Sequence, residues 1–599
     1  MMRKFLLLLI ALGYCGMIVA QIIPQERRVN WEEALSSFSF IEPVNRVNIM
    51  DFGAVADGKT DNSVALTAAM TSLDGHAGQI YFPEGNYLFK NPIIMKDSVI
   101  LRGGGAKKSH LLFDLKANKH AVRVEGSQDK HFVSLKAGFD KGSRQLVCDS
   151  AFYFHAGDWV EIREQNGDWN TAPVDWADWS VGQVGRLLAI SGDTLFIEHP
   201  LRIDYSPNLH PQIQRIYPIQ NVGLECLKIE RMSQQDTTGG YNVYFDLAAN
   251  CLLRGVESDS SVASHVYISR STQIRVEGSY FHHAFAYDGV NTHGYGVTLA
   301  HHSGECLITN NIFEHLRHAM MVKTGANGNV FSYNFSTDPF RSEQNPDASG
   351  DISLHGHYAF SNLFEGNIVQ NIVIDHYWGP SGPWNTFFRN RAELWGIIMT
   401  ESDTTETSRQ NFVGNETTDA DFFHGLFALT GTDHFVYGNH ILQQIILTGT
   451  DSLPDKSYYL QTLPDFWPAE LGWPSVGLPG PLGEGSNPAQ IRYMSGTDFT
   501  VCPDSSGVSV EKMLMHNLSF QIIPNPASSQ FQLRFQQVLT NKLSYKIYNL
   551  QGQKVWEGVE FPKGQSKVIL RPGITMIPGV YLLYVSLGKN QFVKKVVFK

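Results

Sequence analysis

A short pattern that ends in asparagine recurs between residues 300 and 445 and restricts the fold more than any other feature. Its copies read CLITN, VFSYN, LFEGN, TFFRN, NFVGN and FVYGN and end at Asn310, Asn334, Asn367, Asn390, Asn415 and Asn439. The intervals between these asparagines are 24, 33, 23, 25 and 24 residues. A repeat near 24 residues indicates a solenoid. It leaves no room for a useful helix beside several short strands, so the pattern predicts a parallel β-helix rather than a leucine-rich or helical solenoid.

The same phase continues upstream and predicts further coils. The units CLKIE, CLLRG and IRVEG close at Glu230, Gly255 and Gly278. Coils stacked about 4.8 Å apart would align the asparagines in a ladder of side-chain amides. The cysteines downstream of residue 20 form no CxxC pair and are odd in number, so neither a zinc site nor a disulfide framework is expected. Cys226, Cys251 and Cys306 open their units and are expected to be stacked core thiols.

The first twenty residues have the pattern of a secretory signal peptide. A basic start at Arg3 and Lys4 precedes an apolar run from Phe5 to about Leu12 and small residues near Ala20. The run is short and interrupted, which disfavours a membrane anchor, so we expect an exported mature chain without an integral membrane span. Loss of the two basic residues changes the formal net charge from −11 to −13 and makes nucleic acid an unsuitable partner.

A helix and a β insertion are predicted at the start of the solenoid. Asp61 or Asn62 can cap a helix that runs to about Leu73 and covers the first coil, because an uncapped coil would expose a sheet edge. Residues 143–205 predict strand-rich pieces around a loop with three tryptophans, Trp169, Trp176 and Trp179. Their indoles either stack on sugar faces or pack the insertion onto the coils.

The C-terminal part changes composition twice. The β-helix is expected over residues 41–503, and its last part, 451–503, is rich in proline and glycine and is interpreted as an extended wrap or end cap. Residues 504–518 are interpreted as a linker. Residues 519–599 alternate and turn in the manner of a compact β-sandwich.

The N-terminal region resembles a known family. DFGAVADGKTDN followed by IYFPEGNYLF, within residues 48 to about 105, resembles the signature of pectate-lyase-superfamily right-handed parallel β-helix proteins. The resemblance implies that fold and a tendency to act on saccharides. Lyases, hydrolases, epimerases and phage tailspikes share this start, so the resemblance does not decide the reaction.

The tail resembles the C-terminal sorting domain of type IX secretion cargo. The residues that carry this resemblance are Pro524-Asn525-Pro526, Tyr548-Asn549-Leu550-Gln551-Gly552, Pro578-Gly579-Val580-Tyr581 and Lys594-Lys595. The resemblance implies passage across the outer membrane through the type IX machinery, followed by release or attachment to the cell surface. A carbohydrate-binding sandwich is the alternative.

Two long coil intervals and a second register predict the site. Gly278 to Asn310 and Asn334 to Asn367 exceed the repeat by eight or nine residues, so loops must leave the coils there. Alignment of the preceding strands VTLAHH, MMVKTG, ISLHGH, VIDHYW and IIMTES puts His301, Lys323, His355, His376 and Thr400 or Glu401 at neighbouring heights. We expect catalytic roles for Lys323, His355, Arg317, His318, His357 and His376. We expect substrate binding by His301, Arg341, Asp351, Asp375, Glu401, Trp176 and Trp179.

These residue types suit the cleavage of an acidic glycan. A uronate polymer undergoes β-elimination when a cation neutralises its carboxylate and a base then removes the acidified C5 proton. Lys323, Arg317 or Arg341 could neutralise the carboxylate, with a histidine or tyrosine as base and acid. We therefore predict a polysaccharide lyase.

Two other functions stay open at this stage. A glycoside hydrolase could use two carboxyls among Asp351, Asp375, Glu401 and Asp403, and a solenoid that only binds glycan or acts as an adhesin needs neither. The aspartate-rich constellation of the polygalacturonase branch and the acid spacing of calcium-dependent pectate lyases are not found, so calcium is left open as a cofactor with no residues assigned. Capped ends predict a monomer.

Overall fold

The computed structural model describes residues 21–40, 42–115, 119–233, 240–468 and 471–503, and 520–598 without 524–526, 528–529, 540–541, 550–553, 561, 563–564, 573–575 and 588–589. The expected signal peptide, the 504–518 linker and the Pro524-Asn525-Pro526 motif therefore lie outside the described residues, as do Leu550, Gln551 and Gly552. The chain divides into two compact units, residues 1–502 and 503–599.

The first unit begins with a segment that closes one end of a parallel β-helix. Helix α1 is Glu33–Ser36, and α2 is Ser63–Ser72. The helix predicted to reach Leu73 is α2, with Asn62 at its N-cap, and it buries Leu66, Ala69 and Met70 against the first coils. The strands of this part are β1 (Arg46–Asn48), β2 (Asp57–Asp61), β3 (Gly78–Phe82), β4 (Gly85–Phe89), β5 (Ile93–Ile94), β6 (Val99–Gly103), β7 (Ser109–Phe113) and β8 (Val122–Glu125).

A closed antiparallel barrel interrupts the coils. Its strands are β9 (Ser127–Ala137), β10 (Gln145–Cys148), β11 (Trp159–Glu164), β12 (Val181–Ser191), β13 (Thr194–Ile197) and β14 (Gln212–Tyr217). The barrel is wider than the 143–205 insertion expected from sequence, because β9 and β14 also belong to it. Strand β8 before the barrel pairs in parallel with Val243–Asp246 beyond it, so the coils stack as if the barrel were absent.

The remaining coils repeat three short strands joined by turns. These strands are β15 (Ile219–Gln220), β16 (Gly223–Glu225), β17 (Lys228–Arg231), β18 (Val243–Asp246), β19 (Ala248–Arg254), β20 (Glu257–Ser261), β21 (Ser264–Ser269), β22 (Thr272–Glu277), β23 (Tyr280–Ala284), β24 (Tyr295–Ala300), β25 (Leu307–Thr309), β26 (Ile312–Glu314), β27 (His318–Val322), β28 (Val330–Ser332), β29 (Phe335–Thr337), β30 (Ile352–His355), β31 (Leu363–Glu365), β32 (Ile368–Asp375), β33 (Thr386–Phe388), β34 (Arg391–Met399), β35 (Asn411–Val413), β36 (Glu416–Thr417), β37 (Leu426–Ala428), β38 (Phe435–Tyr437), β39 (Asn439–Ile441) and β40 (Gln444–Ile446). Equivalent strands of successive coils pair in parallel, which confirms the right-handed parallel β-helix.

The core is a stack of apolar side chains inside the coils. Phe331, Phe364, Phe387 and Phe412 occupy one register position in successive coils, and their ring centroids lie 5.0–5.1 Å apart with interplanar angles of 7–15°. Stacked rings at this spacing bury apolar area and add favourable offset contacts in every coil.

The predicted asparagine ladder exists, with one member displaced. The Nδ2 groups of Asn334, Asn367 and Asn390 each donate to the Oδ1 of the next coil's asparagine at 2.9–3.0 Å, and the ladder ends at Asn439. The member in the first coil is Asn311, not Asn310. Asn310 has a φ of +56°, a left-handed conformation that turns its side chain away from the ladder and towards Arg492, whose Nη1 donates to its Oδ1 at 2.6 Å.

A second ladder of side-chain amides, which the sequence repeat did not predict, runs along another corner of the coils. Asn329 donates to Asn362, Asn362 donates to Asn385, and Asn385 donates to the side-chain oxygen of Gln410, at 2.9–3.0 Å. Both ladders satisfy buried backbone groups at the turns, where strand pairing stops.

The prediction for Cys226 is wrong. Cys226 forms a disulfide with Cys502, whereas Cys251 and Cys306 are buried free thiols. Cys251 and Cys306 occupy the same register position as the buried Ile274. Cys226 instead follows β16 in a turn, with a φ of +54°. The thiol of Cys226 therefore leaves the core at the turn and meets Cys502.

The proline- and glycine-rich segment lies along the side of the solenoid. We call residues 451–502 the strap; it contains α3 (Pro488–Ser495). Its Leu453, Tyr458 and Trp467 pack with outward-facing coil residues, and the buried guanidinium of Arg389 donates to strap carbonyls. The strap thus corresponds to the extended wrap and not to an end cap.

The second unit is a β-sandwich. One sheet contains β41 (Phe520–Ile523), β42 (Phe531–Leu539) and β45 (Gln565–Leu570), and the other contains β43 (Leu543–Asn549), β44 (Lys554–Glu560), β46 (Gly579–Leu587) and β47 (Asn590–Phe598). Leu533, Ile547 and Leu583 from the two sheets meet in its core.

Candidate active site

Neighbouring strands β27, β30, β32 and β34 place polar residues in one column. The pairings of Val322 with Leu354, His355 with Asp375 and Ile374 with Met399 set the register. We call Lys323, His355, Asp375 and Thr400 the column, because they occupy the same position in four successive coils. The pairing of Leu299 with Val322 gives this position to Ala300 in the preceding coil, so His301 and His376 each lie one residue further along the chain. A shift of one residue turns a side chain to the opposite side of the strand.

His355 and Asp375 form an oriented pair. The Nδ1 of His355 lies 2.7 Å from Oδ2 of Asp375, and both side chains are mostly buried. Burial raises the pKa of Asp375, but the hydrogen bond from His355, and the charge that His355 carries when it is protonated, outweigh this effect and hold that pKa below its usual value. An ionised Asp375 that accepts from Nδ1–H leaves the Nε2 lone pair of His355 available as a base.

Arg317, His318 and Tyr295 continue the site beyond His355. The ring of His318 lies 6.0 Å from that of His355 and 4.8 Å from that of Tyr295. Nη1 of Arg317 donates to the hydroxyl of Tyr295 at 3.2 Å. Burial raises the pKa of Tyr295 to about 12 and lowers that of His318 well below its usual value, so the phenol is protonated and the imidazole neutral at pH 7. Because Nδ1 of His318 lies 3.0 Å from the Gly350 carbonyl, it carries the proton.

Lys323 has a partly buried side chain whose ammonium faces aromatic rings. Its Nζ lies 5.7 Å from the ring centroid of Trp176 and 5.8 Å from that of Tyr267. Among the described residues, no carboxylate oxygen lies within 4.0 Å of this ammonium or of the Arg317 guanidinium. Burial lowers the pKa of Lys323 to about 8, which leaves it mostly charged at pH 7.

The loop between β11 and β12 brings Trp176 over the column. The indole ring centroid lies 5.0 Å from His357 and 5.5 Å from Trp378, and 6.4 Å from His301. Trp176 is 49% exposed, so one part of its ring packs and another faces solvent. The loop approaches the coils closely at Gly325, where a Cβ would lie 1.6 Å from the Ser180 carbonyl oxygen. Only glycine, with its φ of +67°, permits this contact.

A polar pocket of about 400 Å³ lies beside this contact, between the barrel and the coils. It is lined by acidic residues Glu161, Asp175 and Asp178 and by Arg163, Arg270, Trp179, His301 and His302. The guanidinium of Arg163 lies over the ring of Trp179 at 4.3 Å. Burial lowers the pKa of His301 to about 3, so it lines the pocket as a neutral ring.

Three of the predicted residues are engaged elsewhere, and a fourth is exposed outside the column. Arg341 donates to carbonyls of its own loop, from Asn345 and Gln344, at 3.0 and 2.7 Å. Asp351 accepts from Ser336, Gln370 and Asn371, and burial raises its pKa to about 6. His376 binds Thr400 and the amide of Thr407 with its two nitrogens. Glu401 is exposed on the adjoining loop.

His357 packs against the barrel loop and does not project freely. Its Nε2 lies 3.2 Å from the Ala172 carbonyl, its ring stacks 5.6 Å from Trp378, and burial lowers its pKa to about 4. The arrangement makes His357 a support for Trp176 and Trp378.

Sequence reasoning missed several aromatic residues. Tyr267, Tyr295, Tyr377 and Trp378 all border the column, and Tyr377 is 74% exposed with its ring parallel to that of His355 at 6.3 Å. The signal was present for two of them: Tyr377 and Trp378 directly follow the aligned motif residues Asp375 and His376.

Three groups of histidine and carboxylate side chains among the described residues have ligand atoms close enough to share a metal ion. They are Asp259 with His282 and His283, Glu33 with His199 and Glu305, and Asp419 with Asp421 and His424. Each contains histidine, whereas Ca²⁺ takes oxygen ligands. None of the three includes a column residue.

The fold and this site define a class: a parallel β-helix whose polar column is covered by an inserted aromatic loop. Residues 46–170 match the family described as "Rhamnogalacturonase A/epimerase, pectate lyase-like", and residues 521–599 match "Secretion system C-terminal sorting domain". The chain therefore carries a pectate-lyase-like domain and a sorting domain, which directs it through type IX secretion to the cell surface or the extracellular space. No helix in the described part of the chain is long and apolar enough to cross a membrane.

Similar solved structures are parallel β-helix proteins. The tailspike gp49 of Pseudomonas phage LKA1 is 16% identical with a TM-score of 0.47, over 62% of this chain and 64% of that one. The chain thus spans a little less than two thirds of that tailspike. An exopolygalacturonase from Thermotoga maritima is 13% identical with a TM-score of 0.36, over 65% and 85% of the two chains. The A-module of the mannuronan C-5 epimerase AlgE6 from Azotobacter vinelandii is 14% identical with a TM-score of 0.31, over 65% and 98%.

At these identities the likeness concerns the fold alone. No curated protein sequence matches the chain.

Proposed function

We propose that this protein is an exported polysaccharide lyase that cleaves an acidic, uronate-containing glycan by β-elimination at the column. One observation carries the proposal: two cations, Lys323 and Arg317, have no carboxylate partner among the described residues and belong to the same site as His355, a histidine that a carboxylate orients. A neutral glycan would give these cations nothing to neutralise, whereas a uronate carboxylate would.

The residues divide the reaction among them. Lys323 or Arg317 binds the uronate carboxylate and stabilises the enolate charge that develops when C5 loses its proton. Nε2 of His355 accepts that proton, with Asp375 holding the ring and stabilising the imidazolium. The C5 electron pair forms the C4–C5 double bond, the C4–O bond breaks, and the leaving oxygen takes a proton from Tyr295, which is protonated at pH 7.

Aromatic rings supply the sugar contacts. Trp176 and Tyr377 each pack one part of the ring against the site and expose the rest, at 49% and 74%. Rings held in this way can stack on sugar faces at little cost in side-chain entropy. The column rises about 4.8 Å per coil, so it could contact several sugar units of a chain.

A glycoside hydrolase is the second candidate, and the pocket beside Trp176 favours it. Asp175, Asp178 and Glu161 line one cavity, and hydrolysis needs two carboxyls. Glu161 is a poor acid, because hydrogen bonding and the charge of His302 overcome its burial and lower its pKa to about 2. Asp175 or Asp178 would therefore supply the acid, and the other aspartate or the ionised Glu161 the base or nucleophile.

The two functions give different products. The purified protein is incubated with a panel of uronate polymers and matched neutral polymers, and ultraviolet absorbance of unsaturated ends is followed together with reducing ends. A lyase produces both signals from a uronate polymer. Reducing ends without the absorbance would indicate the hydrolase, and binding without either product would indicate a binding protein.

Variants assign the reaction to the column. His355→Ala should lower kcat/KM on the active polymer at least about 100-fold, because the base is lost. His155→Ala is the matched control, since this imidazole is largely exposed on the barrel. Asp175→Asn with Asp178→Asn tests the pocket. If this double variant is inactive while His355→Ala is active, the lyase assignment to the column is wrong.

A further inference from the structure

A cluster of histidines and carboxylates lies on strands outside the column. Asp259 on β20 pairs in register with His282 on β23, and His283 follows directly. The Nδ1 atoms of His282 and His283 lie 2.9 Å apart, and Nδ1 of His282 lies 3.6 Å from Oδ1 of Asp259. Three potential ligand atoms therefore face one point.

The backbone aims the second imidazole at this point. Ser260, His283, His315 and Asp338 occur one after another on successive coils, and all have φ between +52° and +58°. A left-handed residue at a strand end turns its side chain sideways. At His283 this turn brings Nδ1 to the Nδ1 of His282, although the two are adjacent in sequence and would otherwise point to opposite faces.

The ligand separations suit a small transition-metal ion. Ligands at about 2.0–2.1 Å from a tetrahedral ion lie about 3.3 Å from one another. The two separations, 2.9 and 3.6 Å, fall on either side of that value, so movements of a few tenths of an ångström would fit the ion. Two imidazole nitrogens and one carboxylate oxygen form a donor set typical of Zn²⁺ and unlike that of Ca²⁺.

Surrounding groups orient the ligands. Oε1 of Glu257 lies 3.3 Å from Nε2 of His282, and a proton held there leaves the Nδ1 lone pair free for a metal. Ser260 donates to Oδ1 of Asp259 at 2.9 Å, and Lys228 binds the other oxygen, Oδ2, at 2.8 Å. The ammonium of Lys228 also contacts Glu257 and Glu230, so one positive charge faces three carboxylates. A divalent cation would balance the remainder.

The other two groups of histidine and carboxylate side chains are less suited to a metal ion. Arg202 contacts both carboxylates of the Glu33, His199 and Glu305 group, so a guanidinium occupies the position of a cation. Asp419, Asp421 and His424 come from one surface loop and contain a single imidazole, whose Nδ1 is already 2.8 Å from Asp419. This loop serves as the control below.

We propose that Asp259, His282 and His283 form a binding site for one divalent transition-metal ion of the Zn²⁺ type. The ion joins two successive coils and leaves coordination positions open to solvent at the exposed His283. Binding displaces the proton between the two Nδ1 atoms, which moves to Nε2 of His283 or to solvent. The proposal does not depend on the glycan reaction.

Metal binding is measured directly on the untagged full-length protein after treatment with a chelator. Titration with Zn²⁺ should show one tight site, and Co²⁺ should give the visible absorption of a site with nitrogen ligands. His283→Ala should abolish this site, and Asp259→Asn should weaken it at least about tenfold. Glu257→Gln, which keeps the size of the side chain, should weaken it about tenfold through His282.

Controls separate this site from adventitious binding. His424→Ala should leave the stoichiometry and affinity unchanged, and thermal unfolding in chelator should show that His283→Ala is folded. The proposal is overturned if the wild-type protein binds no Zn²⁺ with micromolar affinity, if His283→Ala binds it unchanged, or if His424→Ala removes the site. Activity on glycans is not part of the readout, so its absence leaves this test intact.

Discussion

Burial gives Lys323 a property that a surface lysine lacks. Desolvation lowers its pKa to about 8, much closer to neutral pH than that of a surface lysine, and no carboxylate oxygen among the described residues lies within 4.0 Å of the ammonium to restore it. The same desolvation strengthens the attraction between its charge and an anionic substrate group. The ammonium of Lys323 therefore attracts a nearby anion strongly, but it loses its proton at a lower pH than a surface lysine does.

The pH dependence of activity should report this charge. A lysine is charged below its pKa, so carboxylate neutralisation by Lys323 is present below about pH 8 and is lost as the pH rises through that value. We expect kcat/KM of the wild-type protein to fall above about pH 8. In Lys323→Arg the guanidinium stays charged at this pH. The decrease of kcat/KM above about pH 8 should therefore disappear, even if the highest kcat/KM of the variant is lower.

Replacement of the charge should have a large effect. Lys323→Met keeps the length of the side chain and should lower kcat/KM at least about 100-fold at pH 7, as loss of one electrostatic contact to a transition state does. Lys96→Met, at an exposed lysine, is the control. Equal activity of both variants would mean that Lys323 neutralises nothing in the reaction.

The register of the column could be predicted from the sequence only in part, and the reason differs from residue to residue. Lys323 and His355 share one register, as the alignment of the repeated motif predicted, whereas Asp375 was predicted only as a neighbour of the aligned residues. His301 and His376 were placed in the same row because an alignment tolerates a shift of one residue, whereas a strand does not. Trp378 and Tyr295 were missed since their approach depends on turns and on the barrel loop, which no repeat describes.

At the scale of elements, the coils are held by two kinds of stack. Phenylalanines stack inside, and amide ladders stack at the corners, where asparagine also satisfies backbone groups. The repeat predicted the ladder, but it assigned Asn310 where Asn311 is used, because two adjacent asparagines fit the spacing equally well. Only the backbone conformation, left-handed at Asn310, distinguishes them.

Removal of a hydrogen-bond donor from the ladder should lower the stability of the protein. In Asn367→Asp the two donations, to the Phe331 carbonyl and to Oδ1 of Asn390, become contacts between acceptors. We expect the free energy of unfolding to fall by at least about 2 kcal/mol, since buried groups lose partners and a charge is buried. Urea unfolding measures the change. Asn91→Asp, at an exposed asparagine, should shift it by less than about 0.5 kcal/mol.

The disulfide attaches the strap to an early coil. It joins residues 276 positions apart in sequence, and Val501 also donates to the Gly278 carbonyl. Cys502→Ser should lower stability by about 2–5 kcal/mol, because the open chain has more freedom when unfolded. A reductant should produce the same loss in the wild-type protein and no further loss in the variant. A stable reduced wild-type protein would show that the strap holds by packing alone.

At the scale of the whole molecule, the chain consists of two units with separate cores. The β-helix unit buries its own phenylalanine stack, and the sandwich buries Leu533, Ile547 and Leu583. Both were predictable from sequence, since a repeat and an alternation are local patterns. The closed barrel was not, because its closing strands β9 and β14 lie outside the segment that breaks the repeat.

Removal of the second unit should separate folding from export. A chain that ends at residue 502 keeps the disulfide and the strap, so we expect its unfolding temperature and glycan activity to match those of the full chain. In a host with type IX secretion it should stay inside the outer membrane, since it lacks the sorting domain. Fractionation of cells and medium measures this. Export of the shortened chain would contradict the assignment of sorting to the tail.

The parallel pairing of β8 with β18, across the barrel that separates them in sequence, means that the strands carrying the candidate site pair with one another without any strand of the barrel. Exchange of the tryptophan loop would therefore change what contacts the column while strand pairing within the coils is kept, whereas exchange of the entire barrel would also remove its buried contacts with the coils, such as that of Glu161 with His302. If the proposed function holds, a change in this loop could alter glycan specificity while the polar column below it stays the same.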